Sequence, residues 1–573
     1  MLLIRLYLLI PFIFSALISA PQNKSFFTSP LKIPVLLSAN FGELRIDHYH
    51  SGLDIKTQGV TGKEVIAAAD GYIYRISISP GGFGNTLYIR HPNGYSTVYG
   101  HLDRFIPEVD EYIKTMQYEK KSFLITAFPP GERFPVKKGD LIAYSGNSGG
   151  SAGPHLHYEI RESETEIPIN PLLFDFGTTD NIAPVIEKLV LYPVNKKSFI
   201  NGRGISKTLN VTGSNGKYSI PGGNEIYVSG PAGFGIKSFD LLNGSNNRCA
   251  VYSIELQIDS NTIFKYVMDG FSFNESRFIN SHIDYETYMK EHIYIERTFI
   301  LPNNKLRAYS NVVNRGIFNF NDDKTHNVKI IVNDIHNNKS VLSFNIMSQS
   351  LKPESSYEKP DQNLVLMPYN RTNKFVSENI SVSIPSGALY DTIYFDYKRI
   401  PGTKDMFSDL YRIHNIYTPV HRAYTLSIKP TIIPVGKESK MVITQLGDDK
   451  KKSAMNSSWS DGYLKAEVMS FGNFFVGIDT IAPVISANGL VPGVNLTGKK
   501  EIRIKITDEF SGIKSYEPSI DGNWVLIEYD QKNNLLIYRF DEKRITKGTN
   551  HSLKLMVSDN KDNTSYFNCD FIW

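Results

Sequence analysis

Two stretches of the chain repeat one another, and this repeat limits the fold more than any other feature of the sequence. Apolar and polar residues alternate in NVKIIV (327–332) of one copy and in SLKLMV (552–557) of the other, which predicts strands with one buried face. We therefore predict two copies of one β-sandwich, over residues 182–347 and 481–573, with an insertion in the first copy. The segments that match are 180–186 with 479–485, 235–244 with 512–522, and 326–340 with 551–565.

A third β-rich unit is predicted between the two copies, over residues 352–478. Its run NISVSIPSGALYDTIYFDY (379–397) is typical of a strand, a Pro-Ser-Gly turn and a second strand. The 33 tyrosines and 33 phenylalanines, against three tryptophans, also favour many half-buried strands. Stacked sandwiches of this kind resemble bacterial immunoglobulin-like modules. At about 150 residues per domain, the 573 residues suggest roughly three or four domains.

The N-terminal part of the chain, residues 24–178, forms a separate predicted domain, rich in short alternating strands and glycine turns. One stretch of it, PEVDEYIKTMQYEKK (107–121), indicates a helix instead. It starts with proline, carries its acidic residues early, and places Val109, Ile113 and Met116 on one face. We therefore expect a mainly β chain whose N-terminal domain differs from the β modules that follow it.

The first 20 residues, MLLIRLYLLIPFIFSALISA, are typical of a secretory signal peptide. Arg5 precedes an apolar run, and the stretch ends in small residues at Ser19 and Ala20. The alternative is an uncleaved membrane anchor, but the run is short for a bilayer span and Pro11 interrupts it. No later segment has about 18 uninterrupted apolar residues. We expect an exported protein without a stable membrane span after signal cleavage.

Charge and cysteine content exclude several classes of protein. The net charge of +4, from 62 basic and 58 acidic residues, provides no argument for a nucleic-acid partner. The two cysteines, Cys249 and Cys569, are too few for a disulfide scaffold or a cysteine metal cluster. We expect them to be free and buried, with a disulfide between them as the alternative. Any metal must then be bound by histidines and carboxylates.

Three short segments of the N-terminal domain contain the residues suited to such chemistry. HYHSGLD (48–54) contains His50 and Asp54, VYGHL (98–102) contains His101, and GPHLHYEI (153–160) contains an H-x-H pair. In a strand, His155, His157 and Glu159 share one face. His50, Asp54 and one histidine of the pair make a set of three N and O ligands, which suits a catalytic Zn²⁺ with an open fourth position. Each motif alone is more often a set of surface polar residues.

The order of the motifs resembles that of a known family, the lysostaphin-type zinc endopeptidases, also called LytM-domain proteins. The resemblance covers about residues 35–173. The segments that carry it are NFGELRIDHYHSGLDI (40–55), AAADGYIY (67–74), GFGNTLYIRH (82–91), YGHL (99–102), VKKGDLIAYSGNSG (136–149) and GPHLHYEI (153–160). It implies a small antiparallel β-sheet with an open groove and hydrolysis of peptide bonds in peptidoglycan. The fold expected for the whole chain is this domain followed by about three β-sandwich modules.

The resemblance also assigns roles to the five residues. His50, Asp54 and His157 match the family's zinc ligands, with one Zn²⁺ per chain, and His101 and His155 match its two catalytic histidines. This chain departs from the pattern by an insertion at 107–135. We expect the insertion to form a wall of the groove and to alter the choice of substrate. The alternative is a non-catalytic LytM-like protein that binds the cell wall or regulates an amidase, and the complete set of five residues argues against it. A third reading treats the whole chain as an adhesin.

Several neighbouring residues allow two interpretations. Glu159 either orients a ligand imidazole or is a structural carboxylate, and Tyr99 either contacts the groove or packs in the core. Arg45 meets a substrate carboxylate or forms a surface salt bridge, the second being favoured. His91 is interpreted as structural support and His48 as a solvated loop residue. The other histidines show no ligand spacing: His282, His292, His326, His336, His414, His421 and His551.

The predicted partners and location follow from the same resemblance. Peptidoglycan is the expected substrate, and the β-sandwich modules would hold the catalytic head against the wall or bind envelope proteins. We favour the periplasm or cell envelope over the extracellular medium.

Overall fold

The computed structural model describes residues 26–222, 225–350 and 364–573, and the predicted signal peptide lies outside these ranges. The described chain is mostly β, as predicted. Within it, no helix is both long and apolar enough to cross a membrane. Five short 3-10 helices are also present: Pro171–Leu173, Phe273–Phe278, Asn314–Gly316, Glu438–Lys440 and Gln531–Asn533.

The N-terminal domain, residues 26–178, is built around one antiparallel sheet. Its strands run in the order β1-β4-β12-β8-β7-β6-β10, so β12 lies between β4 and β8. The strands are β1 (Leu37–Ala39), β2 (Leu44–Arg45), β3 (His48–Tyr49), β4 (Leu53–Lys56), β5 (Glu64–Ile66), β6 (Gly71–Ile78), β7 (Asn85–Arg90), β8 (Tyr95–Phe105), β9 (Ile125–Ala127), β10 (Pro135–Val136), β11 (Leu141–Ser145), β12 (His155–Glu162) and β13 (Pro168–Ile169).

The helix predicted in the insertion is present as α1 (Pro107–Lys120). Proline at its first position and two acidic residues in its first turn favour that start. Val109 and Ile113 are buried on the predicted face, where Met116 is partly buried against the core, and Gln117 is the third buried residue of the helix. The Gln117 side chain donates a hydrogen bond to the Phe123 carbonyl at 2.7 Å, which satisfies its amide inside the fold.

The second unit, residues 182–350, is a connected set of 14 strands. Its longest strand, β19, pairs with β14 through one half and with β27 through the other, and thereby joins the two layers. The elements are β14 (Val185–Pro193), β15 (Phe199–Ile200), β16 (Lys207–Asn210), β17 (Thr212–Ser214), β18 (Lys217–Ser219), β19 (Tyr227–Leu241), β20 (Arg248–Cys249), β21 (Ser253–Ile258), β22 (Asn261–Val267), α2 (Ile279–His282), α3 (Tyr285–Glu291), β23 (Glu296–Arg297), β24 (Tyr309–Ser310), β25 (Phe318–Phe320), β26 (Thr325–Asn333) and β27 (Lys339–Ser348).

The third unit, residues 364–479, contains two five-stranded sheets and a two-stranded one. The sheet orders are β29-β30-β34-β38-β37, β32-β33-β39-β35-β36 and β28-β31. The strands are β28 (Val365–Met367), β29 (Asn373–Ser377), β30 (Ile380–Ile384), β31 (Ile393–Phe395), β32 (Tyr397–Ile400), β33 (Leu410–Ile413), β34 (Pro419–Ile428), β35 (Met441–Leu446), β36 (Lys452–Ala454), β37 (Ser457–Ser460), β38 (Tyr463–Ser470) and β39 (Gly472–Ile478).

The fourth unit, residues 480–573, has two sheets in the orders β40-β42-β46-β45 and β41-β48-β47-β43-β44. Its strands are β40 (Val484–Ser486), β41 (Val494–Asn495), β42 (Glu501–Thr507), β43 (Ile513–Ile520), β44 (Asn523–Trp524), β45 (Glu528–Asp530), β46 (Leu535–Arg539), β47 (Asn550–Asp559) and β48 (Thr564–Ile572). Within the described residues, Cys249 and Cys569 are both free and buried, as predicted.

The C-terminal hairpins of the second and fourth units make matching contacts. His326 Nδ1 lies 2.6 Å from Asp259 Oδ2, and His551 Nδ1 lies 2.7 Å from Asp521 Oδ2. The strand that pairs with the hairpin is β21 in the second unit and β43 in the fourth. The sequence match of 235–244 with 512–522 therefore does not describe this pairing, because residues 253–258 occupy the place of residues 515–520 in β43.

The hydrophobic interior is continuous between the N-terminal domain and the second unit. Buried apolar residues from Phe27 to Ile346, with Tyr390 of the third unit, form one cluster, whereas the other core residues of the third and fourth units form clusters of their own. Tyr49 beside the site loop packs on Phe271 of the second unit, with ring centroids 5.5 Å apart. The second unit therefore supports the segment from which His50 and Asp54 project.

Candidate metal centre and active site

Strand register brings the predicted residues together at the centre of the N-terminal sheet. His157 on β12 lies opposite Asp54 on β4 and opposite Gly100 on β8. His50 directly follows β3, and His101 directly follows Gly100. A Cβ added to Gly100 would lie 3.3 Å from the Cβ of His157, so glycine leaves room for the imidazole.

Three donor atoms converge at the predicted metal site. His50 Nε2 lies 3.0 Å from Asp54 Oδ1 and 3.1 Å from His157 Nδ1, and His157 Nδ1 lies 2.9 Å from Asp54 Oδ1. Zinc bonds of about 2.0–2.1 Å in a tetrahedral site imply ligand separations of roughly 3.3 Å. The donor types and their spacing therefore fit Zn²⁺, and the three side chains are buried.

The outward nitrogens of both imidazoles are held by neighbouring groups. His50 Nδ1 donates to the Asn40 carbonyl at 2.7 Å, and His157 Nε2 donates to Glu159 Oε1 at 2.9 Å. In these tautomers His50 Nε2 and His157 Nδ1 present lone pairs to the centre, as metal ligands must. Asn40 also bonds reciprocally with the backbone of Ala250 in the second unit, at 2.8 Å in each direction.

Glu159 is the residue that fixes the orientation of His157. It is fully buried, accepts a hydrogen bond from Ser51, and pairs with Arg161 at 2.5 Å. Burial by itself raises the pKa of Glu159, but Arg161 and the bond from His157 lower it to about 2. Of the two interpretations of Glu159, the structure supports the one in which it orients an imidazole.

Burial and the crowding of charges shape the protonation of the site. Burial lowers the pKa of His50, which keeps its imidazole neutral near pH 7. Burial lowers the pKa of His157 as well, but its hydrogen bonds to Asp54 and Glu159, together with their charges, raise it to about 9. Metal binding at Nδ1 must therefore displace a proton from this imidazole. Burial raises the pKa of Asp54, yet His50 and the surrounding imidazole hydrogen bonds hold it well below its usual range. The carboxylate is thus ionised for metal binding.

The other two histidines lie beside the metal ligands. The rings of His101 and His155 are 4.7 Å apart, and His101 Nδ1 donates to the Ser148 carbonyl at 2.8 Å. His155 Nδ1 donates to the Gly153 carbonyl at 2.8 Å, and its buried Nε2 lies 3.4 Å from Asp54 Oδ1. Burial, with the charges of His157 and His155, lowers the pKa of His101 to about 3.

His101 stands out for its backbone as well as for its side chain. It adopts a φ of 58° inside β8, the left-handed region that a non-glycine residue seldom occupies in a strand. Conformations of this kind cost about 1–3 kcal/mol and concentrate at functional sites. The backbone N–H of His101 donates to the Phe83 carbonyl at 2.8 Å, which holds the conformation in place.

The structure also settles the placement of the neighbouring residues. Tyr99 is packed in the core, where its hydroxyl accepts from the Ala68 N–H at 2.9 Å. His91 is buried between the Asp70 carbonyl and the Thr97 hydroxyl, and His48 is exposed. The favoured interpretation of Arg45 as a surface salt bridge is incomplete, because it pairs with Asp54 Oδ2 at 2.9 Å in addition to Glu43.

Sequence reasoning missed the residues that act through the backbone or by stacking. Asn40 and Ser148 use carbonyl oxygens, which any residue provides, so no motif marks them. Phe83 stacks on His157 with centroids 4.7 Å apart, and its position in a glycine-flanked loop next to the motif was the available signal.

The insertion and the fourth unit together form one wall beside the site. Lys114 of α1 pairs with Asp541 at 2.7 Å, and the ring of Tyr118 packs against Trp524 at 5.2 Å. A cleft of about 770 Å³ lies between the N-terminal domain and the fourth unit, and Ser148 and Gly149 of the active-site loop line part of it. Lys532 of the fourth unit donates to the carbonyl oxygens of Asn147 and Ser151 in the same loop.

Comparison with family models decides the nature of the N-terminal domain. Residues 48–118 and 131–171 match the model of Peptidase family M23. The chain carries an M23 peptidase domain. The five candidate residues all fall inside the matched segments of this M23 domain, and the unmatched gap lies inside the predicted insertion. Residues 364–479, the third unit, match the model of a Zu5-like domain.

Two curated relatives match this chain over about a quarter of its length. The chain is 35% identical over 123 residues to a DD-carboxypeptidase/endopeptidase Mpg of Neisseria meningitidis, covering 22% of each chain. It is 34% identical over 144 residues to the peptidoglycan DD-endopeptidase ShyC of Vibrio cholerae, covering 24% of this chain and 27% of that one. The matched part thus spans about a quarter of the length of these curated relatives.

Among solved structures, a zinc-containing peptidase from Vibrio cholerae matches 26% of this chain and 39% of its own, at 26% identity and a TM-score of 0.20.

Proposed function

We propose that the chain is an exported zinc metalloendopeptidase that hydrolyses peptide bonds in peptidoglycan cross-links or stems. The observation that carries the proposal is the convergence of His50 Nε2, Asp54 Oδ1 and His157 Nδ1 within 3.1 Å of one another, beside two further histidines. His50, Asp54 and His157 would hold the ion, and His101 and His155 would act on protons.

The protein environment prepares each group for its role. When bound, Zn²⁺ supplies Lewis acidity for a peptide carbonyl and lowers the pKa of water. His101 and His155 each donate from Nδ1 to a backbone carbonyl, so their Nε2 atoms carry lone pairs. One imidazole accepts the proton of the attacking water, and a protonated imidazole then donates to the leaving amine. The low pKa of His101 keeps it unprotonated before the reaction.

The proposed substrate class draws on the relatives and on the shape of the site. The Vibrio cholerae relative is named a peptidoglycan DD-endopeptidase, and the Neisseria meningitidis relative a DD-carboxypeptidase/endopeptidase. The loop at 147–153 contains three glycines, Gly149, Gly150 and Gly153, whose backbone leaves room for an extended peptide. The cleft beside it continues toward the fourth unit and provides space for substrate beyond the scissile bond.

Export and envelope contacts complete the proposal. The N-terminal 20 residues support export to the periplasm or cell envelope. The third unit exposes an apolar loop with Ile432, Ile433 and Val435, of which Val435 is 97% exposed, and this loop is the surface we assign to an envelope partner.

The decisive experiment is digestion of purified sacculi by the mature protein, with release of muropeptides measured by mass spectrometry. Activity is expected to disappear with a chelator, to return with Zn²⁺, and to be lost in His157→Ala and in His155→Ala. His48→Ala is the matched control, because His48 is an exposed histidine two residues from a proposed ligand. Undiminished digestion by His157→Ala would overturn the site assignment, and binding without hydrolysis by the wild type would overturn the enzymatic proposal.

A further inference from the structure

A second group of metal-type ligands lies where the M23 domain leads into the second unit. One ligand atom from each of Asp180, Asp334 and His336 lies within 4.8 Å of the others. Asp180 precedes β14, and the other two follow β26. The Asn243 N–H donates to Asp180 Oδ1 at 3.3 Å, which ties this connection to the turn after β19. We call Asp180, Asp240, Asp334 and His336 the Asp180 cluster.

The Asp180 cluster contains buried polar atoms without partners. Asp240 is 3% exposed, and its Oδ1 has no hydrogen-bond partner. Asp180 Oδ2 and His336 Nδ1 are likewise buried and unpaired. Asp240 lies close enough to Asp334 and Asp180 to be repelled by both. Within the described ranges, no lysine or arginine forms an ion pair with the three carboxylates.

The fourth unit brings together a related group of Asp479, Asp508 and Asp559, in which the third member is an aspartate and not a histidine. Asp479 and Asp559 occupy the repeat positions of Asp180 and Asp334, since each copy places its second aspartate eight residues after the hairpin histidine. Asn338 Nδ2 donates to the Asp180 carbonyl at 3.1 Å, and Asn563 Nδ2 donates to the Asp479 carbonyl at 3.2 Å. The position of His336, ten residues after the histidine, is taken by Lys561.

This lysine supplies a positive charge that the Asp180 cluster lacks. Burial lowers the pKa of Lys561, whereas Asp479 and Asp559 favour its charged form. In the second unit the imidazole of His336 replaces the ammonium and presents an unpaired nitrogen instead. Buried carboxylates without a cation are costly unless a metal or a proton neutralises them.

We propose that the second unit binds a divalent metal ion through Asp180, Asp334 and His336, with the buried Asp240 carboxylate nearby. Two carboxylates and one imidazole suit Mn²⁺ or Zn²⁺, whereas Ca²⁺ prefers an all-oxygen shell of six to eight ligands. The ion neutralises the carboxylates and fixes the connection between the M23 domain and the second unit. This site is separate from the proposed active site and does not depend on its function.

The test counts metal ions on the full mature chain. Protein stripped with a chelator is dialysed against Mn²⁺, Zn²⁺ or Ca²⁺ in separate arms, and bound metal is measured by mass spectrometry. Asp180→Asn and His336→Ala are each expected to lose one equivalent of Mn²⁺ or Zn²⁺ relative to wild type, whether or not the active site is loaded. Equal metal content in wild type and both variants would overturn the proposal, as would selective binding of Ca²⁺.

Two further variants separate loss of metal from loss of fold. His336→Lys places in the second unit the residue that the fourth unit has, and we expect a folded protein that lacks one equivalent and whose melting temperature no longer rises with added metal. Asp479→Asn, the matched change in the fourth unit, is expected to retain the full metal content. Loss of one equivalent in Asp479→Asn but not in Asp180→Asn would place the ion in the wrong copy and overturn the proposal.

Discussion

The ammonium of Lys532 in the fourth unit lies 2.9 Å from the carbonyl oxygen of Ser151 in the M23 domain. Ser151 in turn contacts the imidazole of His155 through its hydroxyl, at 3.2 Å from Nδ1. A residue 381 positions further along the chain thus reaches the loop that orients a proposed catalytic histidine. The relationship makes Lys532 a candidate positioning residue.

Replacing Lys532 by alanine is expected to lower kcat by about tenfold, because small displacements of catalytic groups have large kinetic costs. KM is expected to change less, since the lysine contacts the loop rather than the centre of the site. The measurement is steady-state hydrolysis of a labelled muropeptide. Lys543→Ala is the control, because Lys543 also bridges the two units, to Glu111 at 3.3 Å, but away from the loop. Equal loss in both variants would point to unit docking in general.

Glu159→Gln is expected to weaken zinc binding by about 10- to 100-fold, as is usual when the group that orients a ligand imidazole is changed. The variant removes the charge that Arg161 and His157 both face. Competition with a chromogenic chelator measures the affinity. Glu164→Gln, an exposed change on the turn after β12, is the control. Unchanged zinc affinity in Glu159→Gln would show that His157 does not need this partner.

Acid is expected to destabilise the contact between the second and third units through His421. Its ring stacks on Phe278 at 4.2 Å, and burial, with nearby Arg422, Arg277 and Lys305, lowers its pKa to about 4. The unfolded chain, with a histidine pKa of about 6.5, binds more protons between these values. Stability that is present above about pH 6.5 is therefore lost as the pH falls toward 4.

The measurement is urea unfolding at several pH values in that range. His421→Phe preserves the stacking surface without a titrating group, so its stability should fall less steeply than that of the wild type. Parallel pH profiles for the two proteins would contradict the assignment to His421.

Native protein is expected to show no reaction with a thiol reagent and two reactive thiols after denaturation. Cys249 and Cys569 are buried and free, and burial raises the pKa of Cys249 to about 12, which disfavours the reactive thiolate. Labelling without reductant, followed by intact mass measurement, checks both statements. Absence of reactive thiols after denaturation would indicate a disulfide instead.

The sequence was most informative where chemistry and spacing coincide. His50, Asp54, His101, His155 and His157 converge because strand alternation and register act on residues that the motifs already name. The helix at 107–120 followed from its periodicity and its proline start. Met116 lies partly buried against the core, on the predicted face, whereas periodicity does not reveal that Gln117 is buried and finds a carbonyl inside the fold.

Contacts between distant units were beyond sequence reasoning. Nothing local to Lys532 or Lys114 indicates a partner in another unit, because such pairs depend on how the units pack together. His336 was dismissed as lacking ligand spacing, since Asp180 lies 156 residues before it. The internal repeat contained the missing signal. Both copies have the two aspartates, but His336 follows the second aspartate of the first copy where Lys561 follows that of the second copy.

Asn40 has a consequence for how this M23 domain can be recombined with other modules. Its carbonyl sets the tautomer of His50, while its side chain is bonded at both ends to Ala250 in the neighbouring unit. The M23 domain therefore cannot be exchanged independently of the second unit. A chimera with its boundary near residue 180 would need to keep Asn40 together with Ala250. Otherwise the Asn40 carbonyl that orients the His50 imidazole would no longer be held in place.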